Sequence, residues 1–417
     1  MSASRASGRV FLEVEGLESA YAKLLSRARL IPVAVESVAL EAALGRYIAR
    51  DVFAGEDAPS FRRSTVDGYA VRSSDVALAG DSIPAISRLV GSVDIGSAPA
   101  FPVGVGECAE VPTGGMVPDG ADAVVMLEYA EDVGAGLVAL QSGAAFGENV
   151  VSVGEEIKRG DALLRSGRRL SPRDIGSLAA GGFASVPVFA RPRMAVISTG
   201  AEIVPPDQSP PLGKVRDVNS ALLSSMAIAC GYALASASLL SEGKDELVSA
   251  LRGSFASCDI IVVSGGSSKG PADSARDAMR EACSQGALVD GIAMQPGKPT
   301  LIGYDEASRT VVAVLPGHPV SAMTAFELLF ARLIRELFGV PNPMPIPARL
   351  TANAPSSPGR LTCRPASLKW NGDHYEATPV FAKSGLISRL ASADGYFLVD
   401  RDSEGLREGD AVLVRPY

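Results

Sequence analysis

The chain has 417 residues and a net charge of -8, with a pI near 5.1. That length suits about two to four domains, and the acidic balance excludes a whole-chain electrostatic nucleic-acid binder. Two histidines, His318 and His374, exclude a His-built zinc enzyme, and the five cysteines contain no Cys-x-x-Cys pair. They read as reduced thiols of a cytoplasmic protein. No clean apolar run of about 20 residues occurs and no apolar segment follows the N-terminal arginines, so neither a membrane span nor a signal peptide is expected.

In chain order, residues 17–30 carry helical apolar spacing, and a second helix is predicted over 37–44, stopped by Gly45. The stretch Ser64-Thr65-Val66-Asp67-Gly68-Tyr69-Ala70 follows two arginines, Arg62 and Arg63. Its Asp-Gly turn precedes an apolar run, and a polar surface hairpin explains it as well as a site does. Runs at 86–90, 107–111, 123–128 and 137–140, cut by Gly or Pro, predict a small all-β lobe. Within it, Thr113-Gly114-Gly115 is either an anion-contacting turn or only a turn. A helix over 171–180 has Ser171 as N-cap, Pro172 at its first position and Gly181 at its stop, and residues 187–192 read as a linker.

From Arg193 onward strand and helix alternate. Strands are predicted at 194–197, 233–240, 260–263 and 311–315. Helices are predicted at 221–230, 244–255, after Asp273 and at 320–337. This pattern argues a three-layer α/β domain with a mainly parallel sheet. Three strand ends carry polar turns: Ser198-Thr199-Gly200, Ser264-Gly265-Gly266-Ser267-Ser268-Lys269, and Pro316-Gly317-His318. Ligands of such sheets sit outside the carboxyl ends of the strands. Paired glycines expose backbone N–H groups to an anion, serines add hydroxyl donors, and Asp273 offers oxygen to a divalent cation. The middle turn also reads as a plain Gly/Ser connection. Four prolines between 341 and 347 mark a boundary, and short β patterns from Ala348 to Tyr417 predict a β-barrel. The expected division is an N-terminal helical/β linker domain (1–60 with 145–190), an inserted β lobe (61–144), the α/β domain (191–340) and the barrel (341–417).

Eight motifs in this order resemble the molybdopterin molybdenumtransferase family, which includes the C-terminal domain of gephyrin. They are the 64–70 stretch, Pro112-Thr113-Gly114 with residues 120–125, Gly154-Glu155-Glu156-Ile157, Ser198-Thr199-Gly200-Ala201-Glu202, Asp217-Val218-Asn219-Ser220, residues 264–273, Pro296-Gly297-Lys298-Pro299, and residues 315–321. The resemblance implies insertion of molybdate or tungstate into adenylated molybdopterin with release of AMP. It implies Mg2+ dependence, with Zn2+ as the alternative cation, and a homodimer. It also implies contacts with a molybdopterin adenylyltransferase and an apo-molybdoenzyme. A non-catalytic gephyrin-like scaffold and a molybdopterin carrier are the competing readings.

By motif position, Asp67, Thr113, Glu202, Asp273 and Lys298 are the implied catalytic residues. Lys298 would be a fixed positive charge on substrate or molybdate. Ser198, Thr199, Gly200, Ser264, Gly265, Gly266, Ser267, Ser268, Pro316, Gly317 and His318 are the implied substrate contacts, and Glu202, Asp273 and Glu242 the implied metal ligands. Arg193 and Arg216 are further anion contacts without motif support. The chain departs from the family pattern in three places. Arg62-Arg63 replaces a common Asp-Asn, His318 a common Asn, and Glu242 lies where paired aspartates are usual.

Overall fold

Four consecutive β-branched residues, Ile260 to Val263, are wholly buried, as they must be in the middle strand of a sheet covered on both faces. Each contributes roughly 1.5–3 kcal/mol by leaving water. The computed structural model describes residues 14–241, 243–265, 271–381, 385 and 387–417, without the side chains of 271–273. The chain divides into two compact units, residues 37–188 and residues 1–36 with 189–417.

The larger unit starts with α1 (Leu17–Ala28) and resumes with β1 (Arg193–Thr199), α2 (Asn219–Cys230), β2 (Ala233–Leu240), α3 (Lys244–Ser254) and β3 (Ile260–Gly265). Then come α4 (Pro271–Ala282), β4 (Ala287–Asp290), β5 (Leu301–Asp305), β6 (Thr310–Leu315), α5 (Pro319–Phe326) and α6 (Arg332–Leu337). The sheet order is β2-β1-β3-β6-β5-β4. The first four strands run parallel, and β5 and β4 extend the sheet antiparallel. On one face Ile197, Val263 and Val314 share a core with Leu247 and Leu251 of α3 and Ala278 and Met279 of α4. Helices α1, α2 and α5 contact strands of the same sheet. This is the three-layer arrangement predicted.

In this domain two elements differ from expectation. Strand β5 is absent from the sequence reading because Gly303 interrupts its apolar run. A Cβ there would lie 2.5 Å from the Gly286 carbonyl oxygen, so the glycine marks a close backbone approach inside a strand. The single helix expected at 320–337 is α5 and α6 joined by a π turn, Glu327–Ala331.

The chain ends in a barrel: β7 (Ile346–Leu350), β8 (Leu361–Trp370), β9 (Tyr375–Pro379), β10 (Gly395–Val399) and β11 (Ala411–Pro416). The order β8-β9-β7-β11-β10 closes through β8 with β10, a five-strand barrel. Its interior holds Leu350, Ala377, Phe397, Val399, Val412 and Val414.

In the smaller unit, the β lobe is a six-stranded mixed sheet. Its order is Ala123–Met126, Gly68–Val71, Glu107–Val111, Ala85–Ser92, Leu137–Leu140, Ala130–Gly134. Alternate residues feed a core on each face, Tyr69 and Val71 on one, Ala70 and Ala109 on the other. The helix Pro172–Ala180 begins as expected, the Ser171 N–H and Oγ–H both donating to Asp174 Oδ2 at 2.8 and 2.7 Å. The helix expected at 37–44 is shorter, Leu40–Ala43, because residues 37–39 complete a strand, Val35–Ala39. That strand pairs with Ser185–Phe189, so Pro187 lies in a strand rather than a linker. Among the described residues no helix is long and apolar enough to cross a membrane.

Candidate active site

The carboxyl ends of β1, β3 and β6 lie side by side. Ser198 is in register with Ser264 and Thr199 with Gly265, while Ser264 faces Leu315. Gly265 has φ +131°, and a Cβ there would lie 2.0 Å from the Thr199 carbonyl oxygen, so only glycine fits. Ser198 is 0 % and Ser264 1 % exposed. Their hydroxyls are engaged within the protein. Ser198 Oγ donates to Asp217 Oδ1 at 3.0 Å, and Ser264 Oγ accepts from Asn219 Nδ2 at 2.7 Å. Thr199 Oγ1 donates to the Ser241 carbonyl at 3.4 Å.

Beyond β1, Gly200 is half-buried and Glu202 exposed, with Glu202 Oε2 beside Gly200. Beyond β6, Pro316 is buried, Gly317 half-buried and His318 exposed at the N-cap of α5. Asp273 lies in the first turn of α4. Its side chain, and Glu242, Gly266, Ser267, Ser268 and Lys269 altogether, fall outside the described residues. Among the described residues no group of three or more His, Cys, Asp or Glu could hold a metal ion. Of the implied ligands only the Glu202 side chain is described.

Lys298 lines a separate cavity. The two-residue strand Met294–Gln295 pairs in parallel with Leu361 and Thr362 of β8, and the Pro296–Pro299 turn follows at once. The resulting cavity of about 370 Å3 is lined by Lys298, Gln295, Ser321, Arg360, Thr362 and Arg364, among others. Arg364 is the telling member. Its Nη2 donates to the Pro355 carbonyl at 2.8 Å and its guanidinium lies 5.2 Å from the Phe381 ring centroid. Its buried Nε has no partner among the described residues. Burial pulls its pKa below the ordinary arginine value. No carboxylate pairs with it among the described residues, and a desolvated cation of this kind favours an anionic ligand. Sequence reasoning found Lys298 but missed Arg360 and Arg364, which lie in or beside a barrel strand and carry no local motif.

In the smaller unit Asp67 and Thr113 come together, both exposed. Asp67 Oδ1 accepts from Thr113 N at 2.7 Å and Thr113 Oγ1 at 2.9 Å. These donors hold the Asp67 carboxyl below the usual carboxylate range. Arg62 Nη1 donates to the Ala121 carbonyl at 2.7 Å and Nη2 to that of Pro118 at 3.4 Å, so its charge tethers a loop of the lobe. Arg193 opens β1 at the end opposite the polar turns and pairs with Asp259 at 3.1 Å, which removes it from the anion contacts. Arg216 is exposed, its Nε donating to the Pro206 carbonyl at 3.1 Å.

Comparison with known proteins matches three regions of the chain. The MoeA N-terminal region (domain I and II) matches residues 16–182, the "Probable molybdopterin binding domain" residues 195–336, and the MoeA C-terminal region (domain IV) residues 347–417. A molybdopterin molybdenumtransferase of Bacillus subtilis is 30% identical over 387 residues, 91% of this chain and 89% of its own length. The molybdopterin molybdenumtransferase 2 of Mycobacterium tuberculosis is 31% identical over 388 residues, 91% of this chain and 94% of its own. The chain belongs to the molybdopterin molybdenumtransferase family. Two crystal structures of a molybdopterin biosynthesis moeA protein from Pyrococcus horikoshii share the family fold with it. Each has a TM-score of 0.79, at 34% and 27% identity, covering 97% of this chain and 99% and 100% of theirs.

Proposed function

We propose that the chain is a molybdopterin molybdenumtransferase of molybdenum cofactor biosynthesis, inserting molybdate or tungstate into adenylated molybdopterin with release of AMP. The observation that carries this reading is the Lys298 cavity with Arg360 and Arg364, in a chain matching named transferases over 91% of its length. Molybdate enters as a dianion and the substrate already carries phosphate charge, so the reaction needs cations and backbone donors more than a nucleophile.

In this reading the Gly265 turn, with Gly266, Ser267 and Ser268, receives phosphate or pterin, flanked by Thr199, Gly200, Pro316, Gly317 and His318. Ser198 and Ser264, whose hydroxyls are occupied, shape the turns. Lys298 and Arg364 hold the oxyanion. Asp67 and Thr113 act as one hydrogen-bonded unit. Glu202 is exposed; with Asp273 and Glu242 it would supply oxygen donors only, which suits Mg2+ better than Zn2+. Such a cation would neutralise phosphate charge. The four-part domain division, the homodimer and the hand-over contacts with an adenylyltransferase and an apo-molybdoenzyme belong to the same proposal.

The test is AMP release from adenylated molybdopterin with Mg2+, titrating molybdate and tungstate separately. Oxyanion-dependent release is expected, and its order of half-saturation ranks the two metals. Tight substrate binding with no release under either oxyanion overturns the transferase reading in favour of the carrier.

A further inference from the structure

The motif Asp217-Val218-Asn219-Ser220 has no part in the chemistry above, yet its side chains reach every turn of the site. Asp217 is 5 % exposed and accepts from Ser198 Oγ at the end of β1 and from the Ser220 N–H, both at 3.0 Å. Asn219, also 5 % exposed, opens α2 and uses one amide nitrogen twice. Its Nδ2 donates to Ser264 Oγ at the end of β3 and to the Gly317 carbonyl beyond β6, each at 2.7 Å. The Gly317 carbonyl, which only accepts, fixes which way the Asn219 amide faces. Its Oδ1 is buried with no hydrogen-bond partner among the described residues, a cost of the kind tolerated where geometry is the purpose.

From these contacts we infer that Asp217 and Asn219 are positioning residues that lock the three strand-end turns into one arrangement. Asn219 sets the distance between the Gly265 turn and the Gly317 turn. The inference rests on the reading that these turns receive the substrate phosphate. It deepens that reading by assigning the phosphate-side geometry to a segment outside all three turns. The sharp consequence concerns an isostere. Asn219→Asp fills the same space but places an oxygen against the Gly317 carbonyl, so it repels where asparagine bonds. Ser264→Ala removes one bond and leaves the other.

The experiment measures AMP binding by calorimetry on the full chain, and KM for adenylated molybdopterin and for molybdate. Asn219→Asp is expected to weaken AMP binding and raise KM for adenylated molybdopterin about tenfold, with KM for molybdate within about twofold of the parent. Ser264→Ala is expected to do the same to a smaller degree, and Asn219→Ala replaces the Asp variant if that one does not fold. Unchanged AMP affinity in a folded Asn219 variant, or equal shifts in both KM values, overturns the inference. If the unmutated chain binds AMP but releases none from substrate, the transferase reading fails while AMP affinity still tests the lock.

Discussion

Gly265 has two constraints at once, a left-handed backbone and a carbonyl where its Cβ would be. Gly265→Ala should therefore destabilise the α/β domain by about 3 kcal/mol, read as a lowered urea midpoint. An unchanged midpoint would show the turn to be adaptable. At this scale the sequence placed Ser198 and Ser264 at the ends of sheet strands but did not give the direction of their side chains. Ser198 and Ser264 sit in a Ser-rich context that suggests ligand donors, and both hydroxyls are turned inward. Side-chain direction at a strand end depends on what packs behind it, here the Asp217–Asn219 segment, and spacing carries no record of that.

Arg62 shows the same thing for a loop. Its positive charge in place of a common acidic residue suggests altered chemistry, yet the guanidinium holds the Pro118–Ala121 loop by two carbonyls. Arg62→Ala should cost the lobe about 1–2 kcal/mol and leave the molybdate KM unchanged. A shifted KM with unchanged stability would return Arg62 to the site. The π turn between α5 and α6 gives a pH-dependent test. Burial pushes the Glu327 carboxyl above its ordinary range, with Arg335 partly opposing. A raised carboxyl pKa means the contribution is fully present below the unfolded value and is lost as pH rises through the folded one. Glu327→Gln should then raise the melting temperature at pH 8 and leave it unchanged at pH 4. Equal effects at both values would sink the argument. The helix itself was legible from residues 320–337, but the wider turn was not, because a π turn preserves apolar content while changing only the hydrogen-bond register.

For the whole molecule, the Lys298 cavity is assembled from the α/β domain and the barrel, joined by the pairing of Met294 and Gln295 with Leu361 and Thr362. Arg364→Met should raise the molybdate KM about tenfold or more while costing little stability, since a desolvated cation is replaced by an apolar chain of similar length. A normal KM would leave Lys298 acting without it. The sequence by itself determined the alternation of strand and helix from Arg193, the β lobe, the barrel and the family, because apolar period, glycine punctuation and ordered motifs are all local in the chain. Only the tertiary structure decided that Arg360 and Arg364 line one cavity with Lys298, that Asp67 meets Thr113, and that Asn219 ties β3 to the turn after β6. Those are meetings of residues far apart in sequence, fixed by sheet order and strand register rather than by any local propensity.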